Sequence, residues 1–414
     1  MPNVTINSLL PSLPHSHAQS DMTATNCDSP EVTVPCLVVL VVVGVCVSPF
    51  GNFLLSFLFI FFHLREPVNQ CVIPGLPDDL ALRCLAKLSH GHHGVLETVS
   101  TKWRDLIRSS DFANFKAREG WCGNWLFVLT ECSSNEWVAY DPEADIWHPL
   151  PKIPTTHADR KHVGFSCFDP YRKKWSRVAS MRTPRSHFAC SVISGKVYVA
   201  GGLNLSCTRG LALAEVYDPL TDKSCRWEEL PPMLNPQMNC LGLSYKGKFY
   251  VLSDRVGLPD QKTSEVLSPA DRNWCTVEDI WPFSREMQFA AQVIRDDRVY
   301  TVVDLGESLI KTRYTDKGEW HNVGSVPSVI LPDHPRPLEA FGYGFASLRH
   351  ELYIVGGKVL KWEESGAGRF DIVKLGLVRV CDPSAMPLTW REIRPMCGSA
   401  YGSIVGCASL EEKY

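Results

Sequence analysis

Residues 187–233 read HFACSVISGKVYVAGGLNLSCTRGLALAEVYDPLTDKSCRWEELPPM, and this stretch decides the fold. Four short strands are legible in it. Phe188–Ile193 alternates around small residues, and Ser194-Gly195 turns the chain into the Val/Tyr-rich run Lys196–Ala200, which Gly201-Gly202 ends. After a polar loop come Ala214–Tyr217, stopped by Asp218-Pro219, and a fourth strand that holds Trp227 and ends at Leu230-Pro231-Pro232. One four-stranded sheet of this kind cannot bury both its faces, so the unit predicts neighbours of its own type.

Degraded copies of the unit run from Trp121 onward. Trp147, Trp175, Trp227, Trp274, Trp320 and Trp390 hold matching places, most of them shortly after an Asp-Pro or its remnant (Asp141-Pro142, Asp169-Pro170, Asp218-Pro219, Ser268-Pro269, Asp382-Pro383). A repeat of about 47 residues with four strands per unit predicts a mainly β fold, a β-propeller of about six blades over residues 121–410. Two intervals depart from the period. In KHVGFSCFDPYRKKW (161–175) the run Gly164–Cys167 passes straight into Phe168-Asp169-Pro170, so the second blade lacks its second strand and Gly-Gly. That is a truncated blade or, as we read it, an exon missing from the coding sequence. The long interval before Trp390 instead holds a Pro-rich loop, VPSVILPDHPRP (326–337), and a second long loop, 358–371; such insertions often form binding faces. The first blade has only Trp125–Thr130, Glu136–Tyr140 and Ile146–Leu150, so the C-terminal run Tyr401–Leu410 is expected to complete it and remove the exposed edges.

Upstream the period turns helical. Asp78 and Asp79 suit the positive end of a helix after Pro77, and Leu80, Cys84, Leu85 and Leu88 make one apolar face on it. Gly91 and Gly94 read as breakers, with Ser89-His90-Gly91-His92-His93 a solvated turn rather than a metal site. Val95, Leu96 and Val99 then read as a short helical turn. Ser100 can cap a helix in which Trp103, Leu106 and Ile107 share a face, and Asp111 can cap a last segment, with Phe112 and Phe115, that Gly120 ends.

Residues 1–35 are polar, without apolar period, and are expected to be disordered. Residues 36–62 carry no charge and suffice for a membrane-spanning helix with its C-terminal side in the cytosol; Gly44, Pro49, Gly51 and Asn52 interrupt it, and a stretch translated from a mistaken start site would look the same.

The strings LPDDLALRCLAKL (76–88) and HGVLETVSTKWRDLIRS (93–109) resemble an F-box, a small three-helix unit assigned here to residues 73–119. The Gly-Gly, Tyr-Asp-Pro and Trp markers resemble the kelch repeat, and residues 73–410 together resemble the plant F-box/kelch-repeat proteins. The resemblance implies that Leu76, Pro77, Leu80, Val99, Trp103 and Leu106 lie at or just beneath a surface that binds the Skp adaptor subunit and, through it, a cullin. It implies a substrate receptor of a cullin–RING ubiquitin ligase, in cytoplasm or nucleus or tethered through residues 36–62, that binds an unknown target protein without catalysis or cofactor. Arginines in the blade-to-blade linkers of peptide-binding kelch domains hold acidic ligands; here these are Arg182, Arg185, Arg285 and Arg336, with Gln237, Asn239, Glu286 and Glu339 nearby. A scaffold that joins no ubiquitin ligase is the alternative.

The rest of the composition narrows the chemistry. All 42 basic residues follow residue 64, against all but three of the 45 acids, so the body is near neutral and has no nucleic-acid footprint. None of the 16 cysteines forms a C-x-x-C, and Cys84, Cys167, Cys190, Cys240, Cys381 and Cys407 read as small buried hydrophobes in a reducing compartment. Gly201-Gly202 and Gly356-Gly357 open no helix with a lysine, and no Gly-x-Ser-x-Gly or His-Glu-x-x-His occurs. The histidines sit mostly in loops, unlike the convergent Tyr and His ligands of a copper oxidase on this architecture.

Overall fold

The computed structural model describes residues 6–8, 71–130, 137–153, 165–204, 209–219, 226–238, 240–253, 264–277, 290–295, 298–303, 309–314, 319–362, 370–396, 402 and 404–411. The apolar segment 36–62 lies outside the described residues, and among these no helix is long and apolar enough to cross a membrane. A short strand β1 (Ile6–Ser8) precedes four helices, α1 (Asp78–Lys87), α2 (His90–Leu96), α3 (Thr101–Arg108) and α4 (Ser110–Glu119). The strands then follow as β2 (Trp125–Thr130), β3 (Trp137–Asp141) and β4 (Ile146–Pro149); β5 (Phe165–Asp169) and β6 (Lys174–Val178); β7 (Ala189–Ile193), β8 (Lys196–Ala200), β9 (Ala214–Tyr217) and β10 (Glu228–Leu230). Next come β11 (Cys240–Tyr245), β12 (Lys248–Ser253), β13 (Ser264–Ser268), β14 (Asn273–Val277), β15 (Ala290–Arg295), β16 (Arg298–Val303), β17 (Leu309–Tyr314) and β18 (Trp320–Ser325). The last group is β19 (Ala340–Phe341), β20 (Gly344–Leu348), β21 (Glu351–Val355), β22 (Lys358–Trp362), β23 (Phe370–Lys374), β24 (Val378–Cys381), β25 (Trp390–Ile393) and β26 (Ile404–Leu410).

Antiparallel four-stranded sheets form from β7–β10, β11–β14, β15–β18 and β20-β21-β24-β25, and β5–β6 is a two-stranded remnant. The C-terminal strand completes the first blade as β26-β2-β3-β4, with Trp125 opposite Leu410 and Phe127 opposite Ala408. On the other edge of β26 lies β1, Ile6 opposite Ala408, so these three residues are a strand and depart from the disorder expected of residues 1–35. The region 358–371, expected as a loop, contains most of a β-hairpin: β22 and β23 pair in register from Lys358 opposite Lys374 to Trp362 opposite Phe370, and β22 also pairs with β19. The β-rich residues of KVLKW and FDIVK explain it, since each strand puts Val359 or Val373 on one face against the core.

Local chemistry accounts for the repeating markers. Asp141 Oδ1 accepts from the backbone N–H of Glu143 and Ala144, and Asp169 Oδ1 does the same for Tyr171 and Arg172. The Asp-Pro is therefore an Asx turn joining third strand to fourth. In the Gly-Gly pair, Gly201 and Gly202 have φ of 69° and 92°, and a Cβ on Gly202 would stand 2.5 Å from Ser186 O, so no other residue fits. Five of the six fourth-strand Trp residues donate their indole N–H to a carbonyl of the blade before, and Trp320 is the exception. The bonds run from Trp147 to Arg394 (2.8 Å), Trp175 to Pro151 (2.7 Å), Trp227 to Ala179 (2.7 Å), Trp274 to Pro231 (2.8 Å) and Trp390 to Ser325 (3.1 Å). The Trp147 bond closes the ring. The remnant β5–β6 keeps both its stitches, and Phe168, Tyr171 and Trp175 pack against Phe127 and Trp137 of the first blade.

The antiparallel meander fixes two ends. The 1–2 and 3–4 turns lie at one end of every blade; the 2–3 loops and the blade-to-blade linkers lie at the other. Backbone bonds between the two latter sets bear this out, as in Gly202 N–H to Gln237 O and Gly357 N–H to Gly402 O, both 2.9 Å.

Candidate functional site

The helical module builds a small core and leaves an apolar stripe outside it. Leu85, Ala86, Ile107 and Phe112 are buried together, with Leu82, Leu96, Trp103, Leu106 and Phe115 packed around them. Trp103 is fixed at both ends: its backbone N–H donates to the Ser100 cap (3.1 Å) and its indole N–H to Val72 O (2.6 Å). The last helix is capped by Ser109, which accepts from Phe112 N–H, and not by Asp111, because the helix starts two residues earlier than the sequence pattern suggests. Gly120 ends it in the left-handed region, φ 77°.

The apolar face read from sequence on α1 is divided. Ala81, Leu85 and Ala86 point inward, whereas Leu80 (45% exposed), Cys84 and Leu88 (40%) point outward at i, i+4 and i+8. Cys84 is thus not a buried hydrophobe; the remaining five named with it are buried, and burial pushes the thiols of Cys167, Cys190, Cys240, Cys381 and Cys407 up to about 12. Val95 and Val99 are also exposed, at 68% and 59%. Of the residues assigned to an adaptor surface, Pro77, Leu80 and Val99 are exposed and Leu76, Trp103 and Leu106 are half-buried beneath them.

The module is docked rigidly on the propeller at its 1–2/3–4 end. His90 and His93, expected in a solvated turn, are buried inside α2, His90 between the rings of His93, Trp125 and Tyr171, and His93 against Phe112. Gly91 is the reason the helix gets so close. Its N–H donates to Asp141 Oδ2 (3.1 Å), and a Cβ there would lie 2.6 Å from the same oxygen and 2.8 Å from Ala144 Cβ. Ala113 and Ala117 of α4 enter the first blade's core beside Trp125 and Phe127, Lys116 donates to Leu88 O (2.8 Å), and Arg172 reaches Asn114.

This junction titrates. Burial, with Lys116 adding to it, holds His93 down to about 3 and His90 well below its ordinary value; His148 is also lowered, by burial and despite Asp141. Lys173, itself lowered by burial, bears on all three rings. A histidine whose folded pKa is depressed is protonated more readily in the unfolded chain, so stability is lost as pH falls from about 6.5 towards 3. For His93 the loss is about 1.4 kcal/mol per pH unit below 6.5. The melting temperature should therefore fall between about pH 7 and pH 5, and His93→Phe should flatten that slope; an unchanged slope would remove His93 from the junction.

At the opposite end, the described linker arginines differ in their surroundings. Arg185 is fully buried: its guanidinium pairs with Glu215 at 2.7 Å and donates to Gly201 O (3.1 Å) and Leu213 O (2.6 Å). It ties linker to loop and is withdrawn as a target ligand. Arg182 is half-exposed but engaged, with Nε to Trp227 O and an exposed pair to Glu229. Arg336 is exposed in the Pro-rich loop, and Arg285, Glu286 and Asn239 lie outside the described residues. Sequence reasoning missed the acids that organise these linkers. Glu215 accepts from the N–H of Arg182 and Thr183, and Glu265 from the N–H of Leu234 and Asn235 and from Gln237 Nε2, which buries Gln237 as well. Arg379 takes the same strand position with opposite polarity and donates to the carbonyls of Pro327 and Ser328. The signal was present: a lone charge inside an otherwise apolar strand must have a partner.

Comparison with known proteins meets this geometry at both ends. The F-box domain profile matches residues 73–115, which hold α1 to α3 and the start of α4, and the Kelch motif profile matches residues 184–234, the blade β7–β10 with its linkers. The F-box/kelch-repeat protein At1g16250 of Arabidopsis thaliana is 62% identical over 381 residues, covering 84% of this chain and 99% of its own length. The chain belongs to the plant F-box/kelch-repeat family. Within that family the F-box/kelch-repeat protein SKIP30 of the same species is 27% identical over 384 residues, again 84% of this chain and 99% of its own. A solved structure, that of YjhT, covers 67% of this chain and 87% of its own at 15% identity and a TM-score of 0.43, too low to carry an argument. The alignment with At1g16250 runs over 381 positions yet takes in only 84% of 414 residues, so the relative has positions without counterpart here. F-box domains in general bind a Skp-type adaptor, and F-box/kelch-repeat proteins are typically non-catalytic adaptors, so this family member is an interaction protein.

Proposed function

We propose that this F-box/kelch-repeat protein is the substrate-recognition subunit of a cullin–RING ubiquitin ligase, working in the cytoplasm or nucleus. One observation carries the reading: Leu80, Leu88, Val95 and Val99 remain exposed on a helical module whose own core is already made. Several large apolar side chains left exposed on so small a unit mark a binding surface, and a Skp-type adaptor is the partner an F-box takes. The stripe belongs to the module docked at the 1–2/3–4 end, while the linkers and 2–3 loops open at the other. The propeller then holds a target away from the adaptor and towards the ubiquitin-charged conjugating enzyme. Its contribution is effective concentration: a target lysine held nearby reacts as though intramolecular, with no group of this chain entering the chemistry.

Reconstitution tests the proposal. Mixed with a Skp adaptor, a cullin and the RING subunit, the protein is expected to elute as one stoichiometric complex and to support ubiquitin transfer to a bound protein. A protein that binds the adaptor but excludes the cullin would instead be a scaffold outside ubiquitination.

A further inference from the structure

The hairpin β22–β23 rises from the 2–3 connection of the blade β20-β21-β24-β25, at the propeller end that faces away from the helical module. One of its faces is inside the protein. The other is not: Phe341 and Leu360 are half-buried, and Trp362, Phe370 and Ile372 are 54%, 47% and 53% exposed, with the Trp362 and Phe370 rings 5.1 Å apart. Alternation puts only two charged residues on this outward face, Lys358 and Lys374, opposite each other at the hairpin's base; Asp371 is on the other face. Among the described residues β23 is also the last strand of its sheet, so its outer backbone edge is open. A free edge beside an apolar, aromatic face is the arrangement that accepts an extended peptide as an added strand. The base continues into the linkers: Leu375 N–H bonds Gly357 O, and Gly402 N–H bonds Leu375 O.

Resting on the proposed role as a target receptor, we infer that this hairpin is the target-docking element. It takes an extended protein segment that adds along β23, sets large apolar side chains at alternate positions against Trp362, Phe370 and Ile372, and brings an acidic residue to the lysine end. Exposed apolar area supplies the contact, backbone pairing the register, and the lysines the polarity of the segment.

Selection of a phage-displayed library of random linear peptides on the full chain bound to its Skp adaptor tests this. Enriched peptides should alternate large apolar residues and carry Asp or Glu at one end. In fluorescence anisotropy with a synthetic copy, Trp362→Ser with Ile372→Ser should weaken binding at least tenfold, Lys374→Glu severalfold, and proline at alternate peptide positions should abolish it. Adaptor binding and melting temperature should stay unchanged, because the substituted side chains are exposed and distant from the helices; an adaptor lost from the wild type would sink the ligase reading, not this one. Peptides that bind the double variant as well as the wild type would overturn the inference. So would a dimer of the wild-type chain that the double variant dissolves, since the face would then join two copies.

Discussion

Trp103→Ala is expected to unfold the helical module and to remove the Skp adaptor from the purified complex. The indole fills the seam among Leu82, Leu96, Leu106 and Ile107, and its N–H is the tie to Val72 O at 2.6 Å. Truncating a packed Trp costs about 3–5 kcal/mol, and the lower end suits a half-buried ring. A four-helix unit with so small a core has little more than that to lose, although its anchorage on Trp125 through Ala113 and Ala117 lends it stability from the propeller. The adaptor surface needs a separate probe. Leu80→Asp with Val99→Asp changes two exposed positions, so the effect on stability should stay within about 0.5 kcal/mol for each, whereas a charge set into an apolar interface should cost at least about 2 kcal/mol of binding. Calorimetry of adaptor binding and thermal melting separate the two. Trp103→Ala that keeps the adaptor at wild-type yield would refute the assignment of α3, and an aspartate pair that still binds would refute the stripe.

The contrast between core and stripe shows what the sequence carried and what it withheld. Period and turn chemistry were legible because each is local: Asp-Pro encodes an Asx turn, Gly-Gly a pair of positive φ angles, and the recurring Trp a fixed place at each blade boundary. Amphipathic periodicity finds an apolar face without saying what covers it, and so it does not tell the buried Leu85 from Leu80 and Leu88, which face solvent, and Cys84 read as buried. Gly91 read as a helix breaker because propensity disfavours glycine, yet the contact with Asp141 needs a residue without Cβ, and tertiary packing prevails over a propensity term of about 1 kcal/mol. The hairpin 358–374 was hidden for another reason. Its β-rich composition is plain once isolated, but the repeat allots no strands to that position, and the segment passed for a loop. Among the linker arginines, residue type and linker position do not distinguish Arg182, half in solvent, from Arg185, wholly enclosed.

Glu215→Ala is expected to be the most damaging single change in the propeller. It would leave the Arg185 guanidinium, with side-chain exposure of 0%, without its counter-charge, and would strip acceptors from the N–H groups of Arg182 and Thr183. Burial already presses the Arg185 pKa downward while Glu215 opposes it, and an arginine in a protein cannot shed the proton to escape. Removing one partner of a buried pair costs about 3–5 kcal/mol. Glu229→Ala, which removes the exposed partner of Arg182, should cost less than about 1 kcal/mol and serves as the control. Arg185→Leu combined with Glu215→Leu should recover part of the loss, since no charge is then left buried alone, though the carbonyls of Gly201 and Leu213 still lose their donor. Denaturant melts of the four proteins settle the matter. They also check the withdrawal of Arg185 as a target ligand, because the two roles predict opposite outcomes. If the arginine served an acidic target, freeing it from Glu215 would strengthen that binding at little cost in stability. If it ties the linker to the Gly-Gly loop, the same substitution weakens the blade and gains no ligand.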